Sequence, residues 1–140
     1  MLYAKQNQGS DTLKMAEKTL LQMRKGGIFD HIGYGFSRYS TDKYFLVPHF
    51  EKTLYDNALL IIAYSVAYSL TGNKIYLDTA EKTAEYILHE MTSPDGGFYS
   101  AQDADREGIE GKFYIFTLNE ILDVLGKKKA ENLHKLSISP

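Results

Sequence analysis

Two segments of this chain resemble each other, and each follows a stretch with helical spacing. The first covers residues 26–52 and the second residues 96–114; both open with a glycine pair and then mix aromatic with charged side chains. Glycine pairs permit left-handed backbone. Ordinary connectors in a compact domain are short, and these two loops are longer and carry more aromatic and charged side chains than such connectors need. Loops this rich usually carry function. A repeated helix followed by a long aromatic, acidic loop predicts a helical toroid whose loops gather around one central cavity.

Hydrophobic spacing predicts helices that alternate between outer and inner positions. The first begins at Ser10 or Asp11 and ends at Gly26, with one polar face. The second, from about residue 51 to residue 70, is apolar nearly all round. Such a helix is expected to be buried on every side, as an inner helix of a toroid.

The remainder of the chain adds two more helices and some short strands. A third, amphipathic helix is predicted for residues 74–91, and a short fourth helix begins after a capping box at residues 117–120 and closes at Gly126. A fifth is expected to begin near Lys128. The fold class is therefore all-α with minor β. The short aromatic runs expected to pair as ribbons are residues 36–39, 98–100 and 113–116.

Composition narrows the class of partner. The chain has 140 residues, of which 44% are hydrophobic and 24% charged, and this is ordinary for a globular protein. With a net charge of -2, the chain has no positive electrostatic field that would attract nucleic acid. Its longest apolar run, residues 58–68, is too short to span a membrane. The chain contains no cysteine, and residues 1–8 lack the apolar core of a signal peptide. We expect a cytoplasmic protein without a metal or cofactor.

Several motifs in these loops resemble the large family of thioredoxin-domain-containing proteins whose function is not established. The motifs are GGIFDHIG at 26–33, RYS at 38–40, LVPHFEK at 46–52, LYDNA at 54–58, and GGFYSA at 96–101 followed by DAD at 103–105. In that family a thioredoxin-like domain precedes a six-hairpin (α/α)6 toroid similar to N-acylglucosamine 2-epimerases and related glycosidases. The resemblance covers about residues 16–125 and implies the first hairpins only. We therefore expect one partial toroid domain over residues 1–140, either a fragment or a truncated paralogue.

The chain also departs from the family pattern. Phe45 and Phe116 stand where the family usually has tryptophan, and Gln102 replaces an acid. The departures thus imply weaker stacking of aromatic side chains on a sugar ring. They also put in doubt any role for an acid at position 102. The paired histidines that move protons in the epimerases lie on later helices, so the resemblance supplies no catalytic residue.

The acidic loop is the first candidate for chemistry. Asp103 and Asp105, followed by Glu107 and Glu110, place several carboxylates together. Glycoside hydrolysis uses two carboxyl groups about 5 to 9 Å apart. The structural alternative is that these acids bind turn amides and lysines such as Lys112. The same loop begins like a calcium loop, but a tyrosine occupies its twelfth position, where the bidentate acid belongs.

Further candidates lie around the Val-Pro-His-Phe-Glu-Lys motif. His49 could act as a general base, although a histidine at a helix entry is often structural. Arg38 and Tyr39 suit a cavity rim, and loop packing is the alternative. The remaining substrate-binding candidates, from the expected first turns of the inner helix and from the second loop, are Glu51, Tyr55, Asp56 and Tyr99. Four-residue spacing predicts that Glu51 shares a helix face with Tyr55, and Lys52 with Asp56.

The sequence thus supports two hypotheses. The first is a carbohydrate-active-like toroid domain, a sugar epimerase or glycoside hydrolase working by acid/base chemistry with Asp103, Asp105 and His49. The alternative is a non-catalytic interaction or sugar-binding module that completes its core by oligomerisation. A partial toroid leaves one flank of its inner helix unpaired, so we expect a homo-oligomer. The side chains expected at that interface are Leu59, Ile62, Val66 and Leu70, with Tyr64 and Tyr68 as anchors.

Overall fold

The computed structural model describes residues 10–126 and 128–129. Helices account for about half of this part of the chain: α1 (Ser10–Lys25), α2 (Leu54–Thr71), α3 (Lys74–Glu90) and α4 (Leu118–Leu125). Three antiparallel ribbons join β1 (Tyr39–Ser40) to β2 (Pro48–His49), β3 (Lys52–Thr53) to β4 (Ala101–Gln102), and β5 (Asp105–Arg106) to β6 (Ile109–Glu110). The fold is mostly helical with a little sheet. None of the described helices is long and apolar enough to cross a membrane.

Local sequence signals set most helix ends where they were predicted. α1 ends before Gly26, and α2 ends at Gly72, whose left-handed backbone (φ 69°) lets its N–H donate to the Tyr68 carbonyl. At the start of α4, Thr117 Oγ1 accepts the Glu120 N–H, and the Glu120 carboxylate accepts the Thr117 N–H at 2.7 Å. The capping box is thereby confirmed. We also expected a fifth helix to begin near residue 128. The chain beyond residue 129 lies outside the described residues, so this helix stays a prediction.

The start of α2 differs from the prediction. We placed Glu51 and Lys52 in its first turn, but the helix begins at Leu54. The preceding residues are extended because the Arg38 N–H donates to the Glu51 carbonyl and β3 pairs with β4. Glu51 and Tyr55 therefore do not share a helix face, and neither do Lys52 and Asp56.

The expectation that α2 is buried all round is wrong for the described chain. Tyr64 and Ala67 are fully buried on the side that faces α1 and α3, but Leu59 and Ile62 on the other side are 62% and 60% exposed. The half-exposed ring of Tyr55 extends this exposed face toward the helix start. We call Tyr55, Leu59 and Ile62 the apolar stripe. Val66 and Leu70, which we expected on the same face, are half-buried.

The core lies where the three long helices meet the first loop. Tyr64 stacks on Phe36 and donates its hydroxyl to the Leu20 carbonyl at 2.8 Å, so it is a core residue and not the predicted interface anchor. The Tyr76 hydroxyl donates to Glu17 Oε1 on α1 at 3.1 Å. The buried hydrophobic side chains of this cluster are Leu20, Ile28, Phe29, Phe36, Tyr64, Ala67, Tyr76 and Ala80.

Two of the three aromatic runs form sheet contacts. Phe36 bridges to Phe29, and Tyr39 belongs to β1. Phe98 bridges to Thr92. The third run, residues 113–116, is a turn and not a strand, because the N–H groups of Tyr114 and Ile115 both donate back to the Gly111 carbonyl.

Candidate functional site

The extended segment 48–53 organises the site. Successive side chains of an extended chain point to opposite sides. Pro48 and Lys52 are buried and, with Phe50 between them, line a cavity on one side. His49 and Glu51 lie on the other side, at the surface. One segment therefore supplies two different chemical environments.

The surface side carries a connected set of charged and polar groups. Arg38 Nη1 donates to Glu51 Oε2 at 3.1 Å, and the same carboxylate oxygen lies 3.7 Å from His49 Nε2. The other ring nitrogen, Nδ1, lies 2.5 Å from Oε1 of Glu110, a residue of β6 in the second long loop. We call Arg38, Glu51, His49 and Glu110 the polar network. It joins the two long loops directly.

The contact with Glu110 indicates which histidine nitrogen carries a proton. A carboxylate can only accept, so at the short distance to Glu110 it is His49 Nδ1–H that donates. In the form of the ring with its single proton on Nδ1, Nε2 carries the lone pair; Glu51 Oε2, which already accepts from Arg38, lies 3.7 Å from it. No hydrogen bond of the described residues reaches Nε2. A histidine held in this way can take a proton from a ligand.

Aromatic rings flank this histidine and the arginine beside it. The ring of Tyr39 stacks on His49 with centroids 5.0 Å apart and an interplanar angle of 23°. The hydrogen bond with Glu51, together with the interaction with Tyr55, raises the pKa of the Arg38 guanidinium. The arginine is therefore fixed as a cation beside a half-exposed histidine. The structure brings together Arg38, Tyr39, His49, Glu51 and Tyr55 among the predicted site residues.

The other predicted site residues are engaged elsewhere. Asp103 Oδ1 accepts the Asp105 N–H at 3.2 Å, which is the turn-amide role given above as the structural alternative. Asp105 lies opposite Glu110 in the β5–β6 ribbon, so the two side chains share a face of it. Asp56 accepts from Thr53 Oγ1 at 2.6 Å. Within the described part of the chain, no hydrogen bond, ion pair or ring contact joins Asp56 or Tyr99 to the polar network.

Two features of the site were missed. Glu110 was only one acid among several in the sequence, and no local signal shows that it meets a histidine 61 positions away. Lys52 was paired with Asp56, but its ammonium donates to Asp30 Oδ2 at 2.9 Å and to the Tyr34 carbonyl at 2.8 Å. No signal within the motif at 46–52 indicated that this lysine is buried with a distant partner.

The Asp30–Lys52 pair is an internal ion pair. Lys52 is only 2% exposed. Burial raises the pKa of Asp30, but its hydrogen bond and charge interaction with Lys52, together with the N–H groups of Gly33 and Ile32, more than offset this and hold the pKa below its ordinary value. The carboxylate is therefore ionised at neutral pH. The described residues contain no group of three or more histidine, aspartate or glutamate side chains that could hold a metal ion.

Comparison with known proteins gives homologues but no assigned activity. The chain is 46% identical over 123 residues to spermatogenesis-associated protein 20 of Homo sapiens, a match to 84% of this chain and 16% of that protein. It is 43% identical to the protein of that name from Mus musculus and 40% identical to an uncharacterized protein of Caenorhabditis elegans. No protein-family model matches. The chain spans about one sixth of the length of the curated relatives it matches.

Proposed function

We propose that the polar network is an acid/base site for a carbohydrate-like ligand, within a partial toroid of helical hairpins. His49 supports this proposal most strongly. Its Nδ1–H is held by Glu110, its Nε2 faces the surface without a donor, and Tyr39 covers one ring face. This arrangement resembles the oriented histidine of acid/base enzymes, where a carboxylate fixes the tautomer and the far nitrogen moves the proton.

Each member of the network then has a role. His49 Nε2 takes a proton from a ligand hydroxyl or an acidic C–H, and Glu110 stabilises the imidazolium that forms. Arg38 and Tyr39 bind the ligand at the rim, where a guanidinium pairs with oxygens and an aromatic ring meets the apolar face of a sugar. Asp105, beside Glu110, supplies a second carboxylate; Asp103, Asp56 and Tyr99 lie outside this network. The overall reaction class is that of a sugar epimerase or a glycoside hydrolase.

The likeness to thioredoxin-domain-containing proteins supports the fold part of the proposal. The motifs that carry it include RYS at 38–40 and LVPHFEK at 46–52, and these contribute Arg38, Tyr39, His49 and Glu51 of the site. The helical hairpin of α2 and α3 followed by a long loop is the repeat unit that a toroid requires.

Ligand-observed saturation-transfer NMR tests the proposal. Hexoses, N-acetylhexosamines and uronic acids are presented to the chain and to its His49→Gln variant. We expect signals from at least one sugar class that His49→Gln removes. The matched control is His89→Gln, which changes an exposed histidine at the end of α3. Silence across the panel, or signals that His49→Gln leaves intact, would contradict the assignment.

The apolar stripe favours a second candidate, an interaction module that pairs through α2. Leu59 and Ile62 expose most of their side chains on a helix whose polar residues do not form an opposite face. Burying one such side chain contributes about 1.5 to 3 kcal/mol. Two copies that pair along the stripe would recover this, so we propose a homo-oligomer as the form of the isolated chain.

A further inference from the structure

The side of segment 48–52 that faces away from the polar network opens onto a cavity. Its volume is about 330 Å³, and an adjoining cavity of about 450 Å³ shares Asp30, Ile32 and Tyr114 with it. We call the two together the aromatic cavity. Side chains with apolar faces form most of its walls: Phe29, Ile32, Leu46, Phe50, Phe113 and Tyr114. Small-molecule sites have this size and this mainly apolar character.

A charged pair lies within these apolar walls. Lys52 is buried, and its ammonium also lies 4.6 Å from the ring centre of Tyr86 and 5.0 Å from that of Tyr114. Such buried ion pairs are often no more stabilising than well-packed hydrophobic residues of similar volume. Stability alone therefore does not account for a lysine and an aspartate at the edge of an aromatic cavity.

Two residues next in sequence to the cavity lining also have strained backbone. Tyr34 follows Gly33 and Phe45 precedes Leu46, and both are non-glycine residues with left-handed backbone, at φ 66° and 62°. The Tyr34 carbonyl binds Lys52, and the Phe45 carbonyl accepts the Gly27 N–H at 2.6 Å. A Cβ on Gly27 would lie 2.2 Å from the Leu46 carbonyl oxygen, so only glycine fits there. Strained residues and buried charges that concentrate around one cavity are typical of a functional site.

The hydrogen bonds of Asp30 indicate what the cavity can bind. An ionised carboxylate has about four lone-pair sites. Asp30 uses one for Lys52 and two for the N–H groups of Ile32 and Gly33, both at 2.9 Å. One site remains for a donor from a ligand. Lys52 balances the charge of Asp30, and Lys112, which also lines the cavity, is paired with Glu107, so a charged ligand would meet no unpaired counterion among the described residues.

We propose that the aromatic cavity binds an uncharged ring compound with a hydroxyl group, which donates to Asp30 while the ring packs against Phe50 and Tyr114. A phenol and a pyranoside share this chemistry. The site is separate from the polar network, since it lies across the extended segment from His49, and it does not depend on the acid/base proposal.

Saturation-transfer NMR with three probes tests this site: 4-methylphenol, methyl glucopyranoside and benzoate. Ile32→Glu places a charge at the mouth without disturbing the core, because Ile32 is 85% exposed. Leu88→Glu is the matched control, an exposed leucine on α3 away from both cavities. We expect binding of 4-methylphenol or the pyranoside, weakened at least about fivefold by Ile32→Glu because a carboxylate replaces an apolar part of the wall, and unchanged by Leu88→Glu.

The outcomes separate the possibilities. Binding of one hydroxylated probe identifies the ring class, and its persistence in His49→Gln shows that it does not occupy the polar network. If neither hydroxylated probe binds, or if Ile32→Glu leaves binding intact, the proposal is overturned. Binding of benzoate as tight as that of 4-methylphenol would also overturn it, since the proposed site accepts only uncharged rings.

Discussion

Asn57 is the side chain whose replacement tests the packing of the first loop on α2 most sharply. It is completely buried, and its Oδ1 accepts the Phe36 N–H at 2.7 Å. Its Nδ2 donates to the Phe36 carbonyl at 3.0 Å and to the Thr53 carbonyl at 2.9 Å. One amide thus holds both polar groups of a loop residue that is itself in the core. Asn57→Leu keeps the number and branching of the side-chain heavy atoms and removes all three hydrogen bonds.

The magnitude follows from the groups left behind. The N–H and C=O of Phe36 would remain buried without a partner, at a cost of about 1 to 3 kcal/mol each. We therefore expect Asn57→Leu to lower the free energy of unfolding by about 2 to 6 kcal/mol, against a total of about 5 to 15 kcal/mol for a typical domain. Urea unfolding followed by far-ultraviolet circular dichroism measures the difference, provided that the slope against urea is unchanged.

A matched control isolates the role of burial. Asn119→Leu makes the same chemical change on the exposed surface of α4 and should alter the free energy of unfolding by less than about 0.5 kcal/mol. Equal unfolding midpoints for Asn57→Leu and the unmodified chain would refute the reasoning, because Phe36 would then have another source of hydrogen bonds.

Three further predictions concern the ion pair, the apolar stripe and the helix content. Because the folded pKa of Asp30 is lowered, its stabilisation is fully present above its unfolded value of about 3.9 and is lost as pH falls through the folded value. The unmodified chain should therefore be more stable than Asp30→Asn at neutral pH, and the difference between their urea midpoints should shrink as the pH is lowered. A difference that does not change with pH would contradict this. Light scattering should find a homo-oligomer that Leu59→Lys with Ile62→Lys converts to monomer; an unmodified chain already monomeric at tens of micromolar would contradict the pairing. Circular dichroism should show dominant helix, and a strand-dominated spectrum would contradict the fold.

Local signals were sufficient for most of the helix ends. The glycine that ends α2, the capping box of α4 and the amphipathic spacing of α3 each act within a few residues, so the sequence predicts them directly.

Long-range pairing was what the sequence could not show. The start of α2 was placed three residues too early because Lys52 is drawn into the interior by Asp30, 22 positions away. Spacing within one segment cannot indicate such a partner. His49 was predicted as a candidate together with Asp103, but its contact with Glu110 was not predicted, because only the folded β5–β6 ribbon determines which acid faces the histidine.

The tautomer of His49 tests the central claim most directly. Long-range proton–nitrogen correlation NMR on the chain distinguishes a protonated Nδ1 from a protonated Nε2. At about pH 8 we predict a ring protonated at Nδ1, with Nε2 carrying the lone pair, and a loss of this preference in Glu110→Gln. A ring protonated mainly at Nε2, or a tautomer that Glu110→Gln does not change, would contradict the acid/base role of the polar network.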